Sequence, residues 1–191
     1  MKKILTDCDG VLLDWENAFH DWMVQRGYNK VVQGTYDLSV AYDLHHERKH
    51  DVVTEFNNSS RMGWLQPFRD AADVIPDFFD RGYRFEVITS MSLDPYSGKL
   101  RQYNLDDVFG SDAFCGLTCL DTGADKHAAL EPHRDTGLYW IEDKWQNAVV
   151  GAEMGLRSIL IDHPHNRGLE DSRITRVENW KEIYNIITAN E

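Results

Sequence analysis

The chain has 191 residues and a formal net charge of −12, and hydrophobic residues make up 42% of it. This length and composition are typical of one globular domain with its own hydrophobic core, and they argue against disorder. A negative field of this size repels nucleic-acid polymers, so we expect no nucleic-acid polymer as a partner.

No segment of the sequence predicts export or insertion into a membrane. The N-terminal residues reach an acidic side chain, Asp7, before any apolar run of signal-peptide length. No apolar stretch approaches the roughly 18 residues that a membrane span requires. We therefore expect a cytoplasmic protein that does not bind membranes.

Short apolar runs alternate with helical patterns along most of the chain. Apolar runs predict five strands, at 3–7, 83–89, 113–117, 138–141 and 158–161. Helical spacing and capping signals predict helices at 15–26, 40–57, 68–81, 97–103, 126–130, 145–154 and 180–187. This alternation predicts an α/β fold, with a Rossmann-like, parallel five-stranded sheet and helices on both of its faces.

The segment 15–65 differs from the rest because it contains no convincing buried strand. It is rich in aromatic residues, and Phe19 and Trp64 are our candidates for substrate contact because an aromatic ring can stack on a base. The alternative for each ring is a place in the segment's own core.

Two groups of potential metal ligands give weak signals. Cys115 and Cys119 form a lone C-x3-C pair, which predicts two buried thiols on or beside a strand better than a zinc site. The second group consists of three histidines in one predicted helix, and no acidic metal-site motif surrounds them. We therefore expect a solvated helix face to carry His45, His46 and His50.

The first predicted strand ends in Asp7-Cys8-Asp9-Gly10. Residues i and i+2 of an extended backbone face the same side, so Asp7 and Asp9 could approach one substrate together. Two adjacent carboxylates are costly unless a cation or a proton lies between them. That cost favours a metal site or an acid/base pair, in which one carboxylate attacks phosphorus and the other protonates the leaving oxygen. The alternative is an ordinary Asp-Gly turn.

Five further polar residues, in three segments, are expected at the same edge of the sheet, where ligands of parallel sheets bind. Thr89 and Ser90 end a strand, and their hydroxyl and N–H groups could hold phosphate oxygens, although Thr is also a common strand residue. Lys126 lies near a helix start, where backbone N–H groups favour anions. Glu142 and Asp143 end an aromatic strand, and such carboxylates suit Mg²⁺.

The order of these motifs resembles the haloacid dehalogenase (HAD) superfamily over nearly the whole chain. The resemblance implies a Mg²⁺-dependent phosphomonoester hydrolase with Asp7 as nucleophile and Asp9 as general acid/base. It implies that the phosphoryl group is bound by Thr89, Ser90 and Lys126. It also implies that Mg²⁺ is held by Asp7, the carbonyl of Asp9, Asp143 and, in or beside the metal shell, Glu142.

Residues 15–65 lie between the first and second motifs, and in this position they resemble the small helical cap that closes over the site in members of this superfamily. The resemblance therefore divides the chain into a catalytic core, 1–14 and 66–191, and a helical cap, 15–65. A cap excludes water and contacts the leaving group of the substrate.

The cap exit, Trp64–Pro67, and the tail from Ile161 to Trp180 resemble the 5'(3')-deoxyribonucleotidase branch. This implies that the small phosphorylated substrate is a nucleoside (deoxy)monophosphate. Asp70-Ala71 departs from the Gly-Ala pair expected after the cap. Two alternative functions stay open: a sugar-phosphate phosphatase or phosphomutase, and a non-catalytic Mg²⁺- or nucleotide-binding module. The oligomeric state is open as well.

Overall fold

The computed structural model describes residues 1–189, apart from the side chain of His46. Its centre is a six-stranded sheet with the order β3-β2-β1-β4-β5-β6, in which every pair of neighbours is parallel. The strands are β1 (Lys2–Thr6), β2 (Tyr83–Ser90), β3 (Phe114–Leu120), β4 (Tyr139–Glu142), β5 (Arg157–Ile161) and β6 (Thr175–Val177). The predicted fold class, a parallel α/β sheet of Rossmann type, is confirmed.

The predicted count of five strands is one too low, because β6 pairs with β5 at the edge of the sheet. Only three residues form β6, and Val177 is the one that is buried. A strand this short has neither an apolar run nor an alternation that a periodicity analysis can detect.

Eight helices are present in the described part of the chain. They are α1 (Trp15–Val24), α2 (Leu38–Ala41), α3 (His46–Asn57), α4 (Ala71–Asp80), α5 (Pro95–Phe109), α6 (His127–Leu130), α7 (Trp145–Glu153) and α8 (Trp180–Thr188). Helix α5 is longer than the predicted 97–103. Asp94 caps its N-terminus by accepting a hydrogen bond from the N–H of Tyr96, and Gly110, with φ 87°, ends it.

The two faces of the sheet carry separate apolar clusters, because successive residues of a strand point to opposite sides. Ile4 packs in the larger cluster, with residues of α4, α5 and α8. Leu5 packs in the smaller one, with Leu130 of α6 and Trp140 of β4. Helix α7 approaches this second face closely, since a Cβ on Gly151 would lie 2.4 Å from Cδ1 of Trp140. Helices therefore cover both faces, as predicted.

Strand β3 lies at the opposite edge of the sheet from β6, and its two cysteines are less buried than expected. Cys115 is exposed and Cys119 is half-buried. The prediction of two buried thiols is therefore wrong, because burial of a strand depends on its place in the sheet order, which the C-x3-C spacing does not reveal.

Strand order reverses direction at β1, which pairs with β2 on one side and β4 on the other. A crevice forms at such a point, beyond the carboxyl ends of the strands. The segment 15–65 (hereafter the insert) carries α1–α3 and a short 3-10 turn, and its residues form no strand. Within residues 1–189, no helix has both the length and the hydropathy needed to cross a membrane.

Candidate active site

A cavity of about 390 Å³ opens at the carboxyl ends of the central strands, between the sheet and the insert. All seven polar residues predicted for catalysis, phosphate binding or metal binding line it: Asp7, Asp9, Thr89, Ser90, Lys126, Glu142 and Asp143. Three strands and the start of α6 bring them together, although they are far apart in the sequence.

Asp7 directly follows β1 and is buried at the base of the cavity. Its N–H donates to the carbonyl of Ile141 at 2.8 Å, which fixes the end of β1 against β4. Its Oδ1 accepts a hydrogen bond from the N–H of Cys8 at 2.6 Å, and its Oδ2 lies 2.6 Å from Nζ of Lys126. The carboxylate therefore has one orientation, set by a backbone donor and a buried cation.

Lys126 is buried between two carboxylates, with its Nζ 2.6 Å from Asp7 and 2.9 Å from Oε2 of Glu142. Burial alone would lower the pKa of Lys126, but the charges of Asp7 and Glu142 outweigh burial and raise it. Oε1 of Glu142 accepts hydrogen bonds from the N–H groups of Asp143 and Lys144. Both oxygens of Glu142 thus accept hydrogen bonds, and one of them stabilises the ammonium group of Lys126.

Asp143 follows β4, and its carboxylate clusters with those of Asp7 and Glu142, with one oxygen of each within 4.8 Å of the others. Burial, followed by the charge of neighbouring carboxylates, raises the pKa of Asp7 and of Asp143 to about 7. A buried acidic cluster of this kind is relieved by a hard divalent cation, so the residues present fit Mg²⁺.

Gly10 makes this close approach possible. Its φ is 74°, and a Cβ at this position would lie 2.7 Å from Oδ2 of Asp143. A side chain here would collide with the carboxylate and strain the backbone. The glycine of the Asp-x-Asp-Gly motif therefore leaves room for the Asp143 side chain.

Thr89 and Ser90, at the end of β2, differ in what their hydroxyls contact. Among the described residues, Oγ1 of Thr89 is buried without a hydrogen-bond partner. Oγ of Ser90 donates to the carbonyl of Ala124 at 2.8 Å. A buried hydroxyl without a partner is costly, and an oxyanion in the cavity would give Thr89 one.

Arg101, on α5, is a site residue that sequence reasoning missed. Its side chain is fully buried, and Nη2 lies 2.6 Å from Oδ1 of Asp9. The buried side chains of its helix face include Ser97, Asn104 and Leu105, so most of that face is polar. Hydrophobic periodicity could not have identified this face as buried.

Two histidines in the loop after β5 support the site from the side, and the sequence analysis assigned neither a role. Nε2 of His163 lies 2.8 Å from the carbonyl of Gly10, and Nε2 of His165 lies 3.2 Å from that of Asp143. Burial lowers the pKa of His163 to about 4 and lowers that of His165. Although both can cluster with Asp143 as metal ligands, an Nε2 that faces a carbonyl acts as an N–H donor.

The insert contributes an exposed wall to the cavity. Tyr36 reaches towards the core, with its ring 5.0 Å from that of His165 and with Nζ of Lys144 5.4 Å from its centre. Trp15 and His50 also line the cavity, and His50 is exposed like His45. The third histidine of the predicted solvated face, His46, has a side chain outside the described part of the chain.

The two aromatic residues predicted to contact substrate lie elsewhere. Phe19 is 1% exposed and packs in the core of the insert, stacked 4.6 Å from Trp15 and edge-on to Phe56. Trp64 is 63% exposed and contacts Tyr103. Neither residue lines the cavity.

Comparisons with known proteins show what this architecture is similar to. No model of a known protein family matches the chain, and no curated protein matches it in sequence. A HAD-superfamily hydrolase from Ehrlichia chaffeensis has a TM-score of 0.57 at 16% identity, covering 99% of this chain and 98% of the other. CbbY from Rhodobacter sphaeroides, in complex with phosphate, has a TM-score of 0.61 at 18% identity, covering 96% of each chain.

A D,D-heptose bisphosphate phosphatase from B. bronchiseptica, complexed with magnesium and phosphate, has a TM-score of 0.63 at 11% identity over 100% of both chains. At such low identities the likeness concerns the fold. This likeness spans the whole chain. It confirms, for the fold, the resemblance found in the order of the sequence motifs. The chain has the fold of the HAD superfamily of hydrolases.

Proposed function

We propose that the chain is a Mg²⁺-dependent phosphomonoester hydrolase that works through an aspartyl-phosphate on Asp7. The observation that carries this proposal is the setting of Asp7, which is buried, oriented by Lys126 and the N–H of Cys8, and open to the cavity. A carboxylate held in this way can attack phosphorus without first reorganising.

The reaction has two displacement steps. In the first, a carboxylate oxygen of Asp7 forms a bond to phosphorus while the bond to the leaving oxygen breaks, and Asp9 gives that oxygen a proton. In the second, water attacks phosphorus and the bond to Asp7 breaks, while Asp9 takes a proton from the water. One residue thus serves as acid and then as base.

The phosphoryl group carries its charge on three oxygens, so the site must supply positive groups and donors around them. The Nζ of Lys126 and the unpartnered hydroxyl of Thr89 are two donors that line the cavity, and Ser90 lies beside Thr89 on the same wall. Bound Mg²⁺, held by Asp7, the carbonyl of Asp9 and Asp143, would neutralise charge so that an anionic nucleophile can approach an anionic ester.

The insert acts, in this proposal, as a cap that contacts the leaving group, as the division into core 1–14 and 66–191 and cap 15–65 implies. A nucleoside (deoxy)monophosphate is supported by the rings of Trp15 and Tyr36 on the cavity wall, since aromatic faces stack on bases. A sugar phosphate is the second candidate, and the likeness to a heptose bisphosphate phosphatase favours it.

Phosphate release from a panel of esters, with Mg²⁺ and with EDTA, tests the proposal. The panel contains nucleoside mono- and deoxymonophosphates, sugar phosphates and p-nitrophenyl phosphate. We expect release that requires Mg²⁺ and is fastest on nucleotides. Release only from sugar phosphates would keep the chemistry and discard the nucleotide. A thermal shift with nucleotide but no phosphate release from any ester would instead support a non-catalytic binding module.

A further inference from the structure

Arg101 lies beneath the loop that carries Asp7 and Asp9, and its surroundings are unusual for an arginine. The side chain is fully buried, and its Nη2 lies 2.6 Å from Oδ1 of Asp9. Its other donors face sulfur: Nη1 donates to Sγ of Cys8 at 3.2 Å and Nε to Sδ of Met91 at 3.5 Å. Sulfur is a weak acceptor, so the ionic contact with Asp9 is the strong interaction of this guanidinium, although Nη2 and Oδ1 are not aligned as a hydrogen bond.

This arrangement is a poor way to gain stability. A buried ion pair is often no more stable than apolar side chains of similar volume, because both charges lose their hydration. Cys8 and Met91 are themselves fully buried, and an apolar side chain would pack between them without that cost. The pair is therefore better explained by what the guanidinium does to Asp9.

The contact makes the two sides of the Asp9 carboxyl group unequal. Oδ1 is buried against Arg101, whereas the side chain as a whole is 22% exposed and lines the cavity. An interior anchor on one oxygen restricts rotation of the carboxyl group and directs the other oxygen to the cavity.

We propose that Arg101 is a positioning residue for the acid/base step, which anchors Oδ1 of Asp9 so that Oδ2 faces the leaving oxygen. This inference rests on the proposed function. In the first displacement the proton passes from Oδ2 to the leaving oxygen as the bond between that oxygen and phosphorus breaks. In the second, Oδ2 receives a proton from the attacking water. Arg101 exchanges no proton and does not touch the substrate.

The test compares leaving groups in the Arg101→Met variant, which removes the anchor and keeps most of the volume. A p-nitrophenolate leaves without a proton, whereas an alkoxide needs one. We therefore expect kcat/KM to fall about 100-fold or more for an alkyl phosphate, the value of a general acid, and less than about 10-fold for p-nitrophenyl phosphate. The second displacement should become slow, which gives a burst of p-nitrophenol. Asp9→Asn should show the same leaving-group dependence.

Two further variants serve as the control and as the substitute for this test. Arg134→Met removes a surface arginine paired with Glu131 and should leave both substrates unaffected. Arg101→Lys keeps the charge, and we expect it to recover part of the alkyl phosphate activity; it replaces Arg101→Met if the latter does not fold. A loss of equal size on both substrates, in whichever variant is folded, would show that Arg101 is only structural. Failure of the proposed function is distinct, since then the unaltered protein would release no phosphate.

Discussion

The two walls of the cavity are built on different principles. On the core wall, Asp7, Lys126 and Glu142 are almost completely buried, and each lies within 3 Å of a charged partner. On the insert wall, Tyr36 is 55% exposed and Lys49 pairs with Asp37 at the surface. Buried charges must keep their partners, whereas exposed side chains can change at little cost. In the proposed function, the core wall therefore carries the chemistry, and the insert wall contacts the part of the substrate that varies.

The core wall is tested most directly by Asp7→Asn. Without the nucleophile, turnover should fall by about 10⁴-fold or more, since loss of a nucleophile removes the covalent route. The melting temperature should not fall, because the substitution removes a buried carboxylate whose pKa is raised to about 7. Steady-state kinetics and thermal unfolding measure the two effects, with Asp77→Asn, on the exposed side of α4, as control. Turnover at the unaltered rate would eliminate the aspartyl-phosphate mechanism.

The second test removes the shared cation. In Lys126→Met, Asp7 and Glu142 lose their common partner, so unfolding free energy should fall by about 3 kcal/mol or more. The rate of phosphoryl transfer should fall about 100-fold or more, as when one preorganised donor is removed. Denaturant titration and kcat measure the losses, and the exposed Lys181→Met provides the reference. An unchanged unfolding free energy would mean that the buried network is not coupled as its distances indicate.

A third test separates the two aromatic candidates of the sequence analysis. Phe19→Ala should reduce the unfolding free energy by about 3–5 kcal/mol, because it leaves a cavity among packed rings. Trp64→Ala, at an exposed position, should change it by less than about 0.5 kcal/mol. Neither should alter KM in folded protein. A rise in KM for only one of these variants would mean that its residue does contact the substrate.

The insert wall is tested at Tyr36. Tyr36→Ala should lower kcat/KM for the preferred nucleotide about 10-fold, since an aromatic stack is worth about 1 kcal/mol in addition to its buried area. The effect on an alkyl phosphate should be smaller, because its leaving group has no aromatic ring to stack on Tyr36. Tyr96→Ala, on exposed α5 surface, is the control. Equal losses on both substrates would mean that Tyr36 contributes to phosphoryl transfer and not to recognition of the leaving group.

The smallest expected effect links pH to Mg²⁺. Asp7 and Asp143 have folded pKa values of about 7 against an ordinary 3.8, so they favour the folded state at low pH and this contribution is lost as pH rises towards 7. The lowered pKa values of His163 and His165 act in the opposite direction, so the test compares the effect of Mg²⁺, which should raise the melting temperature more at pH 8 than at pH 5. NaCl of equal ionic strength is the control. An equal Mg²⁺ effect at both pH values would contradict the cluster as the cation site.

The sequence allowed prediction of those features that depend on local pattern. The site residues of the core could be found because each directly follows an apolar run or begins a helix, and a parallel sheet brings the carboxyl ends of its strands to one edge. Features that depend on sheet order or on packing could not be found. Examples are the exposure of Cys115 on an edge strand, the short strand β6 and the burial of Arg101 on a largely polar helix face. The aromatic content of the insert likewise does not reveal which rings face the cavity.

The central position of β1 in the sheet has a consequence for how the surroundings of Asp7 form during folding. Thr6 pairs with Val87 on one side and with Ile141 on the other, so β1 precedes both of its partners in the chain by a long stretch. Until β4 docks, Asp7 lacks its backbone hydrogen bond to Ile141 and the neighbouring carboxylates of Glu142 and Asp143. Pairings this distant in sequence form slowly, because the intervening chain must close first. Recovery of the proposed phosphatase activity during refolding should therefore report the last long-range pairing of the sheet, later than the appearance of helical signal.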